Sequence, residues 1–555
     1  MTSTQLGYLG STSAEQTDLI EYTRGNRAKE DVTLRKRTSL FGDIINSEAT
    51  YVGAPPERYN NSTHPGFDAF KATTAVASRT PMLYVGANDG MLHALNASTS
   101  TSDGGNEKWA YIPSFVLSGP SSPANPQADG LAARASLGSF THKYYVDQTP
   151  SVRSVNFAHT GVAPSGGFGS GSPDWRSLLV AGLNKGGRGY YAIDVTDPAQ
   201  WTSEANVASK VLWEFSDADM GLSYGRPMIV YTKKYGWVVI VTSGYNNTQG
   251  AVADRGKGFL YVLNAKTGAL LEKIGTGVGS AATPSGLAQV NAFVADYREM
   301  TIDYVYGGDL LGNLWRFDLT QIAGSAGTYP APVKLAVLTD GTNPQPVTTE
   351  PRIEIARDRV SRWLFIGTGQ LMSDADIPST ATQTFYAFRD GTVTTPNTSG
   401  SFPLDRSSLA PMTDPLAGVT PTSDGWYMDL TLHPGASGSP AERVVTAPSA
   451  NEGFIAFIGQ KPNNDPCSPA LTSYIYAVEY ATGRSRLEDG SGNRIDSFLV
   501  PSTSGYGLGV IWVKDAQGKM RPIYSTSSGG PNRLQGNFNT PSGVPTRLQW
   551  REVLQ

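Results

Sequence analysis

The chain has 555 residues, of which 61 are Gly and 36 are Pro, and only 17% are charged. The net charge is −4, so no excess of Lys and Arg points to a nucleic-acid partner. Aromatic residues make up 10%, which is too much apolar surface for a disordered chain. Many turn residues and few charges favour an all-β protein, since helical surfaces usually carry many Glu, Lys and Arg.

The first 39 residues differ from the rest of the chain. Leu6, Leu19, Ile20 and Tyr22 are spaced for a short amphipathic helix, and the basic run at residues 34–37 is expected to be a solvated linker. The start lacks the basic and apolar regions of a signal peptide, and no run approaches the roughly 18 apolar residues of a membrane span. We expect residues 1–39 to be a helical and linker segment and residues 40–555 to be a single domain.

A short pattern recurs six times in that domain. A β-rich apolar run ends in Gly, a turn or loop follows, and a second strand ends in Asn, Asp or Glu. Each copy is predicted to form the two middle strands of a four-stranded propeller blade. The copies are residues 84–96, 179–182 with 189–194, 240–244 with 258–264, 304–310 with 312–318, 363–367 with 385–390, and 457–459 with 473–479.

Each half of the repeat has a sequence suited to its place in a blade. The first strand is almost wholly apolar, as expected where neighbouring blades cover both of its faces. The terminal Asn or Asp of the second strand is suited to cap a turn, as at Asn264. Runs that contain Pro or Gly precede several hairpins, at residues 148–152, 225–230 and 350–353, and Pro there fits the start of an inner strand.

The spacing of the copies indicates that the blades carry insertions. The strand-ending residues lie at positions 96, 194, 264, 318, 390 and 479, whereas a four-stranded blade needs about 40 to 45 residues. A seventh blade is expected from residues 40–53 paired with residues 506–530. The sequence thus predicts a modified seven-bladed β-propeller, with six or eight blades, or separate β-sandwiches, as the alternatives. Stretches rich in Gly, Ser and Pro are predicted to be the insertions: residues 118–138, 163–174, 324–348 and 392–422.

The chain contains one cysteine, Cys467, and five scattered histidines. One Cys cannot form an internal disulfide, and it excludes a zinc site that uses several Cys ligands. The scattered His residues also argue against a metal site with several His ligands. The Cys467 thiol is expected to be a buried structural group, with exposure in a loop as the alternative.

Several of these stretches resemble the C-terminal half of the PilC/PilY family of type IV pilus proteins. The most specific is Gly-Asp-Leu-Leu-Gly-Asn-Leu-Trp-Arg-Phe-Asp-Leu at residues 308–319, together with residues 84–96. The resemblance covers nearly the whole chain from about residue 20. Its other motifs are residues 41–47, 186–194 and the closing Trp-Arg-Glu at 550–552.

The resemblance implies a propeller related in shape to the quinoprotein dehydrogenases. It also implies a role in pilus assembly and retraction, twitching motility and surface attachment. The expected partners are minor pilins or other pilus-tip proteins and a host or abiotic surface, and the expected location is the cell surface at the pilus tip. Family members are exported and have a long N-terminal half, so this chain is expected to be a domain or a shortened form.

Members of the family often carry a calcium loop just before the strand that leads into the motif at 308–319. Calcium binds six to eight oxygens, usually from alternate residues of a tight loop with a Gly at the turn. Here the family's ligand positions fall on Ala295, Tyr297, Glu299, Thr301 and Asp303, and its Gly position falls on Met300. We expect a plain turn without calcium. The alternative is a weak site formed by Glu299, Asp303, the Thr301 carbonyl and a shifted Asp296.

The alternative function is a quinoprotein dehydrogenase that uses pyrroloquinoline quinone. Such enzymes commonly contain two vicinal cysteines and a regular Trp motif that closes each blade. This chain has one Cys and lacks the Trp repeat. The Gly-x-Ser-x-Gly string at residues 221–225 lacks the strand-to-helix context of a hydrolase nucleophile. We therefore expect a binding protein without a catalytic site or cofactor.

Overall fold

The computed structural model describes residues 1–100, 102–121, 123–138, 140–159, 161, 172–398, 401–434, 437–463, 465, 470–514, 520–536 and 538. Within these ranges the chain folds mainly into antiparallel sheets that follow one another along the sequence, which confirms the all-β propeller. Cys467 and residues 550–552 lie outside the described ranges, so their predicted roles stay predictions.

Seven sheets of three to five strands form the blades of the described structure. Blade 1 contains β1 (Thr50–Val52), β2 (Met82–Ala87), β3 (Met91–Asn96) and β4 (Glu107–Tyr111). Blade 2 contains β5 (Ser151–Asn156), β6 (Trp175–Ala181), β7 (Tyr190–Asp194) and β8 (Val211–Phe215). Blade 3 contains β9 (Met228–Thr232), β10 (Gly236–Thr242), β11 (Phe259–Asn264) and β12 (Leu270–Gly275).

The remaining blades vary more in their number of strands. Blade 4 contains β13 (Val290–Val294), β14 (Ile302–Gly308), β15 (Asn313–Asp318) and β16 (Val333–Val337). Blade 5 contains β17 (Arg352–Ile355), β18 (Ser361–Gly367), β19 (Thr384–Thr392), β20 (Ala410–Pro411) and β21 (Gly425–Asp429). Blade 6 contains β22 (Ser449–Asn451), β23 (Phe454–Pro462), β24 (Leu471–Glu479) and β27 (Phe498–Leu499), with a side hairpin of β25 (Leu487–Glu488) and β26 (Arg494–Ile495). Blade 7 contains β28 (Gly507–Lys514), β29 (Met520–Thr526) and β30 (Pro531–Arg533).

All six predicted hairpins form adjacent strands that lie inside their sheets. Every residue of β10 and of β18 is buried, as expected for strands covered on both faces. Core clusters join neighbouring blades, and Phe385 of β19 stacks on Phe457 of β23 with ring centroids 3.7 Å apart. The predicted inner strands β5, β9 and β17 each begin directly after a Pro. The residue with no backbone N–H therefore stays outside the ladder.

The predicted composition of blade 7 is wrong in one respect. Residues 50–52 form β1, which pairs with β2 of blade 1, so the N-terminal strand does not enter blade 7. Pairing with a strand about thirty positions away closes a much shorter loop than pairing with one near position 507. Blade 7 has three described strands, all from the C-terminal part of the chain.

The predicted insertions are confirmed in part. Residues 118–138 join blades 1 and 2 and carry two short helices. Residues 324–348 are not wholly an insertion, because their middle forms β16. Residues 392–422 carry the short β20, and most of residues 163–174 lie outside the described ranges. The helices are α1 (Ser3–Leu9), α2 (Ser13–Thr23), α3 (Phe67–Ala72), α4 (Thr74–Ala77), α5 (Phe115–Ser118), α6 (Pro126–Asp129), α7 (Leu131–Ala135) and α8 (Glu204–Ala208), with 3-10 turns at Pro198–Gln200, Asp374–Asp376, Arg406–Ser408 and Ser502–Ser504.

The N-terminal segment packs against the first blade's insertion. Leu9, Leu19 and Tyr22 of α1 and α2 share a buried cluster with Leu117 and Leu131. Of the helices in the described ranges, none is long and apolar enough to cross a membrane. The division into residues 1–39 and 40–555 stays a prediction.

The basic run at residues 34–37 is not a solvated linker. Arg37 is only 4% exposed, and its guanidinium lies over the Tyr22 ring and pairs with Glu30 at 2.8 Å. The Arg35 N–H donates to the Ala135 carbonyl at 2.9 Å. Charge alone predicted exposure here, whereas an acid and an aromatic ring from the preceding residues offset the cost of burying Arg37.

A buried carboxylate holds the hairpin of the motif at 308–319. Asp309 is fully buried and accepts hydrogen bonds from the backbone N–H groups of Leu311 and Asn313, from Asn313 Nδ2 and from Trp315 Nε1, each at 2.9 Å. The turn needs Gly312, whose φ is +75° and whose added Cβ would lie 2.5 Å from the Leu338 carbonyl oxygen. Burial raises the Asp309 pKa, and these hydrogen bonds oppose that rise.

The first hairpin uses the equivalent Asp89 together with a histidine. Asp89 accepts from the N–H groups of Gly42 and Met91, and His93 Nε2 lies 3.1 Å from its carboxylate. His93 Nδ1 lies 3.2 Å from Glu107. Burial alone would lower the His93 pKa, but the two carboxylates outweigh it and raise the pKa to about 9. His93 is therefore a buried cation that links β3 to β4.

Replacing Asp309 by Ala is expected to lower the free energy of unfolding by about 3 kcal/mol or more, because several buried donors lose their acceptor. Urea unfolding of the whole chain would measure the change. Asp340→Ala is the matched control, since Asp340 caps an exposed turn through Thr342 and Asn343. The control should cost about 1 kcal/mol or less. Equal losses in the two variants would contradict the assigned role of Asp309.

Stability should also depend on pH through His93. Folding raises the His93 pKa above the unfolded value of about 6.5, so its contribution is fully present below pH 6.5. That contribution is lost as the pH rises through about 9. Thermal unfolding between pH 6.5 and 9.5 should show this fall in the parent chain, and His93→Gln should reduce it. An identical pH profile in the variant would contradict the prediction.

Candidate functional site

The loop at the position of the family's calcium loop, residues 295–301, connects β13 to β14 and closes as a tight turn. The N–H groups of Glu299 and Met300 both donate to the Asp296 carbonyl at 3.0 Å. Met300 has a φ of +52°, in the left-handed region, and is 3% exposed. The residue at the family's Gly position thus adopts the backbone conformation that Gly would favour, while its side chain packs into the core.

Cationic side chains occupy the two Asp carboxylates of the predicted donor set. The Arg298 N–H donates to Asp296 at 2.9 Å, and its guanidinium lies 2.7 Å from the same carboxylate. This contact raises the Arg298 pKa. Lys233 Nζ lies 2.6 Å from Asp303, the second residue of β14. Both acids therefore contact a cation of the protein itself.

The carbonyl groups of the loop are also engaged. His64 Nε2 donates to the Glu299 carbonyl at 2.6 Å, which places the proton on that nitrogen. The Asn60 N–H donates to the Arg298 carbonyl at 2.9 Å, and the Tyr231 N–H donates to the Met300 carbonyl at 3.2 Å. Burial lowers the His64 pKa, which favours the neutral ring that this contact requires.

The residues of this loop do not fit a calcium site. Calcium needs six to eight oxygens, but here Asp296 and Asp303 are ion-paired, and the carbonyls of Arg298, Glu299 and Met300 accept hydrogen bonds from other parts of the protein. Glu299 is the remaining acid of the predicted set. No group of three or more His, Cys, Asp or Glu residues suited to a metal occurs in the described ranges. Asp296, Glu299 and Thr301 lie in the loop, which closes as a turn held by protein contacts, and Asp303 lies just beyond it in β14.

Sequence reasoning missed the residues that hold this loop from outside. His64, Asn60 and Lys233 lie 70 to 238 positions away in sequence from the groups they bind. None belongs to a recognisable motif. Only Arg298, within the loop, gave a signal, because a cation between candidate ligands opposes calcium binding.

A model of the PilY1 β-propeller domain matches residues 41–405. The chain belongs to the PilY1 β-propeller family. A type IV pilus biogenesis factor PilY1 homolog of Xylella fastidiosa is 30% identical over 586 residues, covering 99% of this chain and 41% of the relative. The type IV pilus biogenesis factor PilY1 of Pseudomonas aeruginosa strain PAK is 29% identical over 528 residues, covering 84% of this chain and 40% of the relative.

The likeness extends to a solved PilY1 structure. The crystal structure of the Pseudomonas aeruginosa PilY1 C-terminal domain superposes with a TM-score of 0.61 at 22% identity, over 88% of this chain and all of that one. This match supports the PilY1 fold. The chain spans about two fifths of the length of the curated PilY1 relatives.

The loop is expected to bind no calcium tightly, because its two Asp carboxylates are held by Arg298 and Lys233. Isothermal titration of the full chain with calcium should give no saturable heat at micromolar concentrations. The double variant Arg298→Asn and Lys233→Gln frees both carboxylates and should bind calcium more tightly than the parent chain. Tight one-to-one binding by the parent chain would contradict the prediction.

Proposed function

We propose that this chain is the propeller domain of a type IV pilus biogenesis factor, and that it acts by binding at the pilus tip and not by catalysis. Membership of the PilY1 β-propeller family carries the proposal, since the matched relatives are named as type IV pilus biogenesis factors. The proposal assigns to this chain a part in pilus assembly, retraction control, twitching motility and attachment. Its cellular location would be the cell surface or the extracellular pilus tip.

The surface chemistry of the insertions supports a binding role. The insertion that follows β19 exposes several hydroxyl side chains, and the chain as a whole carries little net charge. Neutral hydroxyl groups can exchange hydrogen bonds with water for hydrogen bonds with another polar surface, without the cost of removing a charge from water. Loops on a rigid scaffold are also where binding residues usually lie. The exposed residues include Thr394, Thr395, Thr398, Thr413, Thr420 and Ser423.

The proposed partners are minor pilins or other pilus-tip proteins on one side and a host or abiotic surface on the other. A propeller is suited to join the two, because its loops lie at the ends of a rigid body. Its blades are covered by their neighbours, so a pulling force has to separate packed sheets before it unfolds one of them. These partners are inferred from the family, and the chain itself supplies the rigid scaffold.

Removing the coding segment of this chain in frame should reduce surface pili, twitching zones and attachment, and restoring it should recover all three. Asp309→Ala is the matched variant, since it removes a buried carboxylate and leaves the surface unchanged. If the folded propeller is what acts, that variant should complement poorly at a temperature where it unfolds. Sheared surface pilin, twitching diameter and adherent cell counts would be measured. Unchanged values after the deletion would contradict the proposal.

A further inference from the structure

A cavity of about 380 Å³ lies where the N-terminal segment meets the first blade. One wall is formed by residues of the stretch 35–43, and the other by Arg134 of α7 and by residues of the stretch 140–145. Asn88, from the turn of the first hairpin, completes the lining. The cavity therefore depends on the packing of the N-terminal segment on the insertion between blades 1 and 2.

The most unusual group in this cavity is the guanidinium of Arg134. Arg134 is 7% exposed, and its Nε has no hydrogen-bond partner among the described residues. It also takes part in no ion pair within that part of the chain. Burial lowers its pKa, which reflects the cost of holding this charge away from water. An anion in the cavity would reduce that cost.

The charged side chains that line the cavity carry a net positive charge. Arg35 also lines it, forms no ion pair among the described residues, and lies over the Phe140 ring at 4.0 Å. Lys143 pairs with Asp129 at 3.3 Å. Asp43 is the acid in the lining, and its carboxylate is bound by Asn88 at 3.0 Å and by His142 at 2.8 Å.

Two acids on this side of the molecule are already bound to other groups. Asp89 acts on the Arg134 charge through space, but its carboxylate contacts His93 and the Gly42 N–H. Glu30 is bound to Arg27 and Arg37. Arg134 therefore forms no salt bridge with a carboxylate of the described residues, and a negatively charged ligand could supply one.

Apolar side chains in the same lining indicate that the ligand also carries an apolar group. Leu40 and Phe140 both line it and are 45% and 47% exposed, which is high for large apolar side chains. Arg forms paired hydrogen bonds with planar anions such as carboxylates. We propose that this cavity binds a carboxylate anion attached to an apolar or aromatic group. The inference is independent of the pilus function proposed above.

The test uses the full chain and three probes: N-acetylphenylalanine, its neutral amide, and inorganic phosphate. Isothermal titration should show saturable one-to-one binding of the acid, and the amide should bind at least about tenfold more weakly. Arg134→Gln should weaken the binding of the acid by a similar factor. Equal affinity for the acid and the amide, unchanged affinity in the variant, binding of phosphate alone, or no binding of any probe would each overturn the proposal.

A second pair of variants decides the matter if Arg134→Gln fails to fold. Lys143→Gln removes a half-buried cation from the lining, and it should lower the affinity for the acid severalfold. Lys36→Gln makes the same charge change nearby at a side chain that is 70% exposed and does not line the cavity. This control should bind the acid like the parent chain. If both Lys variants weaken binding equally, a general positive field explains the binding, and the proposed site is wrong.

Discussion

Each blade of this propeller holds together because neighbouring blades shield its middle strands from water on both faces. All seven residues of β10 and of β18 are buried, and the Phe385 and Phe457 rings stack across a boundary between blades. Burial contributes roughly 25 cal/mol for each Å² of apolar surface, so these contacts between blades dominate the stability of the fold.

Shielding both faces of the middle strands also buries polar backbone groups at the ends of these strands. The hairpin turns bring backbone N–H groups into buried positions, where an unpaired donor costs free energy. The carboxylates of Asp89 and Asp309 accept hydrogen bonds from these N–H groups within a few residues of the turn. His93 in blade 1 and Trp315 in blade 4 are further partners of the two carboxylates. The hairpin motifs that resemble the PilC/PilY family are therefore mainly signatures of the fold.

The features that sequence could predict are those that local chemistry decides. The six hairpins followed from apolar runs, Gly and a terminal Asn or Asp, which act within about thirty residues. The pairing of Asp303 with Lys233, which lies 70 positions away, depends instead on which segments of the chain are brought together by the fold. The amino-acid composition of a segment does not show which distant segment it will contact. Composition likewise does not show that the strand at 50–52 pairs with β2 and not with the strands of blade 7.

Two charged regions of the molecule show opposite electrostatic outcomes. At the loop between β13 and β14 and the start of β14, Asp296 and Asp303 each form an ion pair with a cation of the protein itself. At the seam between the N-terminal segment and blade 1, Arg134 is buried and has no acid as an ion-pair partner among the described residues. Paired charges fix a structure, whereas an uncompensated buried charge leaves free energy to be gained by binding. The seam is therefore where we place the proposed carboxylate ligand, whose negative charge would lower the cost of burying Arg134.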